Sequence, residues 1–106
     1  MTGIFEDRER GYEANWAREE EVHFNTLAKR NNRLGQWAAG LMQLPEAEAA
    51  KYAEAVVQAG LSEKGAQAVF DKVRADLTAR NVSCPDATIK TKMQELLAKA
   101  EAEAKQ

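Results

Sequence analysis

An all-α fold, a four-helix bundle with a flexible N-terminal segment, is predicted by three features of this 106-residue chain. Apolar residues recur at three- and four-residue steps in four separate blocks, the period of an amphipathic helix. Brief breaks at Pro45, at Gly60 to Ser62 and at Asn81 to Ser83 divide the blocks, and connections this short force neighbouring helices antiparallel. Alanine is abundant, while proline, glycine and β-branched residues are sparse, which favours helix. No β-strand pattern competes with this reading.

The first helix is predicted from about Glu19 to Leu44, with Phe24, Leu27, Leu34, Trp37, Ala38 and Leu41 along its apolar side. The acidic run Glu19 to Glu21 sits near its start, where the helix dipole favours negative charge. Pro45 ends this helix by disfavouring helical geometry in the residue before it. It also opens the second helix, in a first turn where its missing N–H costs nothing. There Ala49, Tyr52, Ala53, Val56 and Val57 make the buried stripe, and Gly60 is the stop. Ser62 is expected to cap the third helix, whose stripe is Ala66, Val69, Phe70, Val73 and Leu77. Asn81 ends it, since asparagine tolerates left-handed geometry. Ser83 is expected to cap the fourth, with Asp86 three residues on as a variant capping box. Its stripe is Ile89, Met93, Leu96, Leu97 and Ala100, and the polar end from Glu101 to Gln106 is expected to fray.

The N-terminus does not fit the rest. Met1 to Glu21 carry Phe5, Tyr12 and Trp16 among seven acids and three arginines (Arg8, Arg10, Arg18). That charge density is too high for a buried helix, yet the aromatic mass exceeds what a passive tail needs. Steps of seven and four place the three rings on one side of a helix. Such a helix has too little apolar surface to support itself in water, and Gly11 weakens it further. Two readings follow: a leader whose rings fold back on the bundle, or a segment that orders on docking to a partner. Residues 1–18 are accordingly taken as a mobile segment and 19–106 as the helical bundle.

Composition excludes several classes. A formal net charge of −2 argues against a general nucleic-acid binder, which needs a basic face to release counterions. No apolar run approaches the roughly 20 residues of a membrane span, and no secretory signal opens the chain. Cys84 is the single cysteine, so no internal disulfide forms and a reducing compartment is the natural setting. His23 is the single histidine, and no ligand spacing joins it to Cys84, so no metal and no cofactor are expected. The carboxylate pairs, such as Glu46 with Glu48 and Glu101 with Glu103, read as solvated charge on polar helix faces. Gly35, Gly40, Gly60 and Gly65 are scattered and make no phosphate loop. An enzyme is not supported.

One basic run is different. Lys29, Arg30 and Arg33 lie midway along the first helix, just before Leu34-Gly35-Gln36-Trp37. They make either a solvated face or a contact for an anion, a nucleotide or an acidic patch on a partner. Gly35 and Gly40 each cost up to about 1 kcal/mol in a helix interior relative to alanine, and close packing beside Trp37 is the reading that offsets this.

Three stretches resemble a known family. They are Phe5-Glu6-Asp7-Arg8-Glu9, then Ala28-Lys29-Arg30-Asn31-Asn32-Arg33-Leu34-Gly35-Gln36-Trp37-Ala38-Ala39, then Lys51-Tyr52-Ala53-Glu54-Ala55-Val56-Val57. Their order and spacing are similar to the alphaproteobacterial ATPase inhibitor family, the zeta subunit of the F-type ATP synthase. The resemblance implies a four-helix bundle with a mobile N-terminal inhibitory segment. That segment would insert between catalytic subunits of the soluble ATPase head, reach the rotor and block ATP hydrolysis. On this chain Phe5, Tyr12 and Trp16 would be its apolar anchors. Arg8, Glu9, Arg10 and Glu13 would set register by ion pairing. The resemblance also implies a cytoplasmic protein held at the inner face of the plasma membrane through the synthase. The alternatives are a helical module that binds nucleotide weakly through Lys29, Arg30 and Arg33, or a protein-interaction module with a different partner.

Overall fold

Four helices account for nearly all of the chain: α1 (Thr2–Leu41), α2 (Glu46–Ala59), α3 (Ala66–Ala79) and α4 (Asp86–Ala104). They belong to a computed structural model that describes the backbone of residues 2–105 and the side chains of residues 21–105. Successive helices run antiparallel. Gly35 of α1 lies against Ala53 of α2, and Asn31, one turn earlier, lies against Gly60, one residue past the end of α2. Gly60 also approaches Val69, while Tyr52 reaches Asp76, which reverses α3 against α2. Arg33 meets Glu103, and Lys92 covers Trp37, so α4 runs back along α1.

The core forms where the four apolar stripes meet. Leu34, Ala38 and Met42 come from α1, and Ala53 and Val56 from α2. Val69, Phe70, Val73 and Leu77 come from α3, and Ile89, Met93 and Ala100 from α4. Each fully buried large side chain contributes about 1.5–3 kcal/mol. Leu34, Leu77, Ile89, Val56, Val69 and Val73 are the largest of these. Trp37, Leu44, Tyr52, Val82, Cys84 and Leu96 close the edges.

The predicted boundaries hold for existence and order, and move in detail. α1 starts at Thr2 and not near Glu19, and it passes residue 18 without a break. Its residue types explain this: glutamate, arginine and alanine favour helix, and the aromatic steps of seven and four share the period of the stripe that follows. It ends at Leu41, three residues before the expected Leu44. There Gln43 turns left-handed with φ 56°, and Leu44 N–H reaches back to Ala39 C=O at 3.0 Å. Asn81 does the same after α3, with φ 61° and Val82 N–H bonded to Leu77 C=O at 2.9 Å. Both are Schellman ends, and each places an apolar residue, Leu44 or Val82, against the core.

Two expected caps are not used. Ser62 lies in a turn that runs to Gly65, where φ 51° and ψ −118° suit glycine alone, and α3 begins only at Ala66. Ser83 does not cap α4. Pro85 sits before Asp86 with φ −62° and ψ 149°, and its carbonyl accepts from Thr88 and Ile89 at 3.0 and 3.3 Å. Asp86 therefore complements the helix dipole from the first turn and forms no capping box. Gly60 stops α2 in right-handed geometry, and the end of the Asn31 side chain lies against it. The C-terminal stretch stays helical to Ala104.

Burial corrects the first helix most. Phe24 and Leu41, on the predicted apolar side, are 55% and 40% exposed. Thr26, Arg30 and Asn31 are buried in their place. In α3, Ala66 is exposed.

Candidate functional site

Two regions hold the residues singled out by sequence. Phe5, Arg8, Glu9, Arg10, Tyr12, Glu13 and Trp16 belong to the first part of α1. Their side chains lie outside the described residues, while their backbone continues the helix. At 1.5 Å per residue, the 40 residues of α1 span about 60 Å and the 19 of α4 about 29 Å. Ala104, the last helical residue of α4, shares a cleft with Val22. The α1 backbone before Val22 therefore reaches past the end of α4. The same steps continue into the described part of the helix, from Trp16 by seven to His23 and by four to Leu27.

The second region is the basic run, and the fold divides it. Lys29 and Arg33 are one helical turn apart and share a face. Both meet Glu103: Arg33 Nη2 lies 2.8 and 3.1 Å from its two carboxylate oxygens, and Lys29 Nζ lies 3.6 Å from one of them. The hydrogen bond from Arg33, with the charges of Arg33 and Lys29, holds the Glu103 carboxyl below the usual carboxylate range against the opposing effect of burial. Arg30 points elsewhere. It shares a stripe with Leu34, is only 5% exposed, and donates from Nε to Asn31 Oδ1 at 2.7 Å. Burial lowers its pKa. The run is thus neither a uniform solvated face nor a set of three converging cations. An anion approaching Lys29 and Arg33 competes with Glu103 for them.

From the sequence alone, Glu103 is solvated charge in a polar end expected to fray. Its position was nonetheless legible: three residues past Ala100, it extends the stripe Ile89, Met93, Leu96, Ala100 by one more step. Because its pKa is depressed in the folded state, its contribution is present above the ordinary carboxylate pKa and is lost as pH falls through the depressed value. Glu103→Gln should therefore lower the melting temperature at neutral pH. The gap to the parent chain should close as pH drops below about 4. Paired thermal melts across that range check this, and a gap that persists in acid would remove the ion pair from the account.

A second polar group fastens α2 to α3. The Tyr52 hydroxyl donates to Asp76 Oδ2 at 2.8 Å, and Lys72 Nζ lies 3.1 Å from the same oxygen and 5.3 Å from the Tyr52 ring centre. Burial, then the bond to Asp76, pushes the phenol pKa far upward and keeps it protonated. Lysines also stand over Phe70 and Trp37, at 5.2 and 5.8 Å. These contacts join elements and present no paired nucleophile and base.

His23 is exposed near the arm end of α1, while Cys84 is half-buried before α4, toward the opposite end of the bundle. Among the described residues, no group of three or more His, Cys, Asp or Glu side chains could hold a metal. No described helix is long and apolar enough to cross a membrane.

The stretch from Asn31 to Ala39 forms the seam of α1. Asn31 packs on Gly60, Gly35 on Ala53 and Val56, and Leu34, Ala38 and Ala39 are fully buried. Gln36 points outward and donates to Asn32. A family model described as ATPase inhibitor subunit zeta matches residues 1–103. No curated protein matches the chain.

Proposed function

The chain belongs to the ATPase inhibitor subunit zeta family, and from that premise we propose that it blocks ATP hydrolysis by the F-type ATP synthase with the first part of α1. The reading is of a binding protein and not of an enzyme. Residues 1–18 enter a catalytic interface of the soluble head and reach the rotor. Phe5, Tyr12 and Trp16 act as anchors, and Arg8, Glu9, Arg10 and Glu13 pair with charges that fix register. The bundle is the handle that stays outside. Cytoplasmic residence at the inner face of the plasma membrane follows from attachment to the synthase.

The observation that carries this reading is the disproportion of α1. Its 40 residues exceed anything the other helices can cover, and the uncovered length coincides with the aromatic and acidic segment. The energetics suffice. A fully buried large apolar side chain contributes about 1.5–3 kcal/mol. Ordering a segment on binding costs about 2–5 kcal/mol, so three anchors leave a surplus.

The test is ATP hydrolysis by the purified, matched enzyme. Phe5→Ala and Trp16→Ala should each raise the concentration needed for half-inhibition by roughly tenfold or more while leaving the melting temperature almost unchanged. A large loss of stability would instead place those rings in the bundle's own core.

A further inference from the structure

We infer that the end of the bundle from which α1 projects is a second docking surface: an apolar collar of Val22, Phe24 and Leu61 that seats against the outside of the protein receiving the arm. This rests on the reading of the arm as an inserted segment, and adds a site on the folded body.

Four side chains are the large apolar groups left exposed among the described residues, namely Val22, Phe24, Leu41 and Leu61. Three of them gather at one end. Phe24 precedes Asn31 by seven residues, two helical turns, and so lies on the same face about 10 Å nearer the arm. Asn31 packs against Gly60, and Leu61 is the next residue, at the start of the turn leading to α3. Phe24 and Leu61 thus flank the same side of α1, at 55% and 53% exposure. Val22 lies on the opposite side, 43% exposed, where with Asn25, Thr26, Lys29, Ala100 and Ala104 it lines an open cleft of about 230 Å³. Apolar groups therefore lie on two sides of the root of the arm.

Helix continuity identifies the occupant. Trp16 and Phe24 are eight residues apart on one unbroken helix, about 12 Å along its axis. A partner that encloses Trp16 must bring its outer surface to the level of Phe24. Groups exposed there face the rim of that partner. The rim's chemistry follows from what surrounds the collar: apolar at its centre, with basic groups facing the acidic Glu19 to Glu21 run and exposed Glu63. The collar acts as a stop that sets insertion depth and slows release.

The experiment compares full-length chains in the hydrolysis assay on the matched ATPase: the parent, Phe24→Ala, Leu61→Ala, their double variant and Trp16→Ala. The collar double variant should raise the half-inhibiting concentration about tenfold, chiefly through faster recovery of activity on dilution, with a melting temperature close to that of the parent. If the collar variants inhibit like the parent while Trp16→Ala inhibits roughly tenfold more weakly, the collar is wrong and the arm stands. If Trp16→Ala inhibits normally, the arm reading itself is overturned. Sedimentation of the parent and the double variant separates the remaining occupant. A dimer present in the parent and lost in the variant would assign the surface to a second copy of this chain and overturn the collar.

Discussion

Removal of Met1 to Arg18 is expected to leave a folded helical protein that no longer inhibits, with the half-inhibiting concentration raised on the order of a hundredfold or more. The two halves of this expectation rest on different observations. Folding survives because every buried apolar side chain described lies between Leu34 and Ala100. The Asn31–Gly60 and Gly35–Ala53 contacts and the Glu103 ion pair also lie outside the deleted stretch. Inhibition fails because all three candidate anchors, Phe5, Tyr12 and Trp16, are lost at once. Circular dichroism and thermal melting of the truncated chain check the first half, and ATP hydrolysis by the matched enzyme checks the second. A truncated chain as potent as the full-length one would transfer inhibition to the bundle. The collar alone would then have to carry binding, which is more than three exposed apolar side chains can supply. A truncated chain that unfolds would show that residues 1–18 belong to the bundle's own structure, and the division at residue 18 would be abandoned.

The legible parts of this fold share a cause. Stripes such as Val69, Phe70, Val73 and Leu77 repeat with the helical period, and burial follows period whenever another helix stands opposite. The same logic failed at Phe24, whose spacing matched the stripe but whose position lies two turns beyond Asn31, where the α2–α3 connection has already begun. Periodicity identifies a face and does not say how far along the helix that face is covered. The caps show a second limit. Ser62 and Ser83 are good capping residues, yet the chain turned on Gly65 and Pro85, because a left-handed glycine and a fixed proline φ decide where a helix can start. Asn81 was readable as a left-handed end and Gln43 was not, although both close Schellman motifs, since glutamine carries no such signature.

The basic run shows why a site is harder to read than a fold. Lys29, Arg30 and Arg33 form one cluster in sequence, but steps of three and four separate their directions. Two cations turn to Glu103, 70 residues from Arg33, and the third turns inward. Only the return of α4 decides which is spent, and that is a tertiary fact. The arm differs again. Its charge and aromatic content distinguish it without any tertiary contact, which is why the segment could be marked from sequence while the collar at its root could not.

Gly35 carries the largest expected effect on stability. A methyl group there would stand 2.6 Å from the Cα of Ala53 and 3.2 Å from both Ala53 Cβ and Val56 Cγ2. The nearest of these is a backbone atom, which cannot rotate away, so α1 and α2 must separate along the seam that also buries Leu34 and Ala38. Overpacking of this kind typically costs about 1–3 kcal/mol, and a backbone clash falls toward the upper end. Alanine returns up to about 1 kcal/mol through better helix propensity. Gly35→Ala should therefore lose about 2 kcal/mol, a fall of roughly 10 °C in melting temperature for a domain of this size. Gly40 provides the internal control: it is an exposed helical glycine, and a methyl there meets nothing within 4 Å. Gly40→Ala should gain about 0.5 kcal/mol from propensity, near the low end because it lies close to the helix terminus. Thermal and urea melts of the two variants should thus move in opposite directions. If Gly35→Ala melts at or above the parent, the helices have room to part and the close approach is not what glycine supplies. Below its melting point the variant should still inhibit with the parent's potency, because the seam holds the handle and the arm lies beyond it.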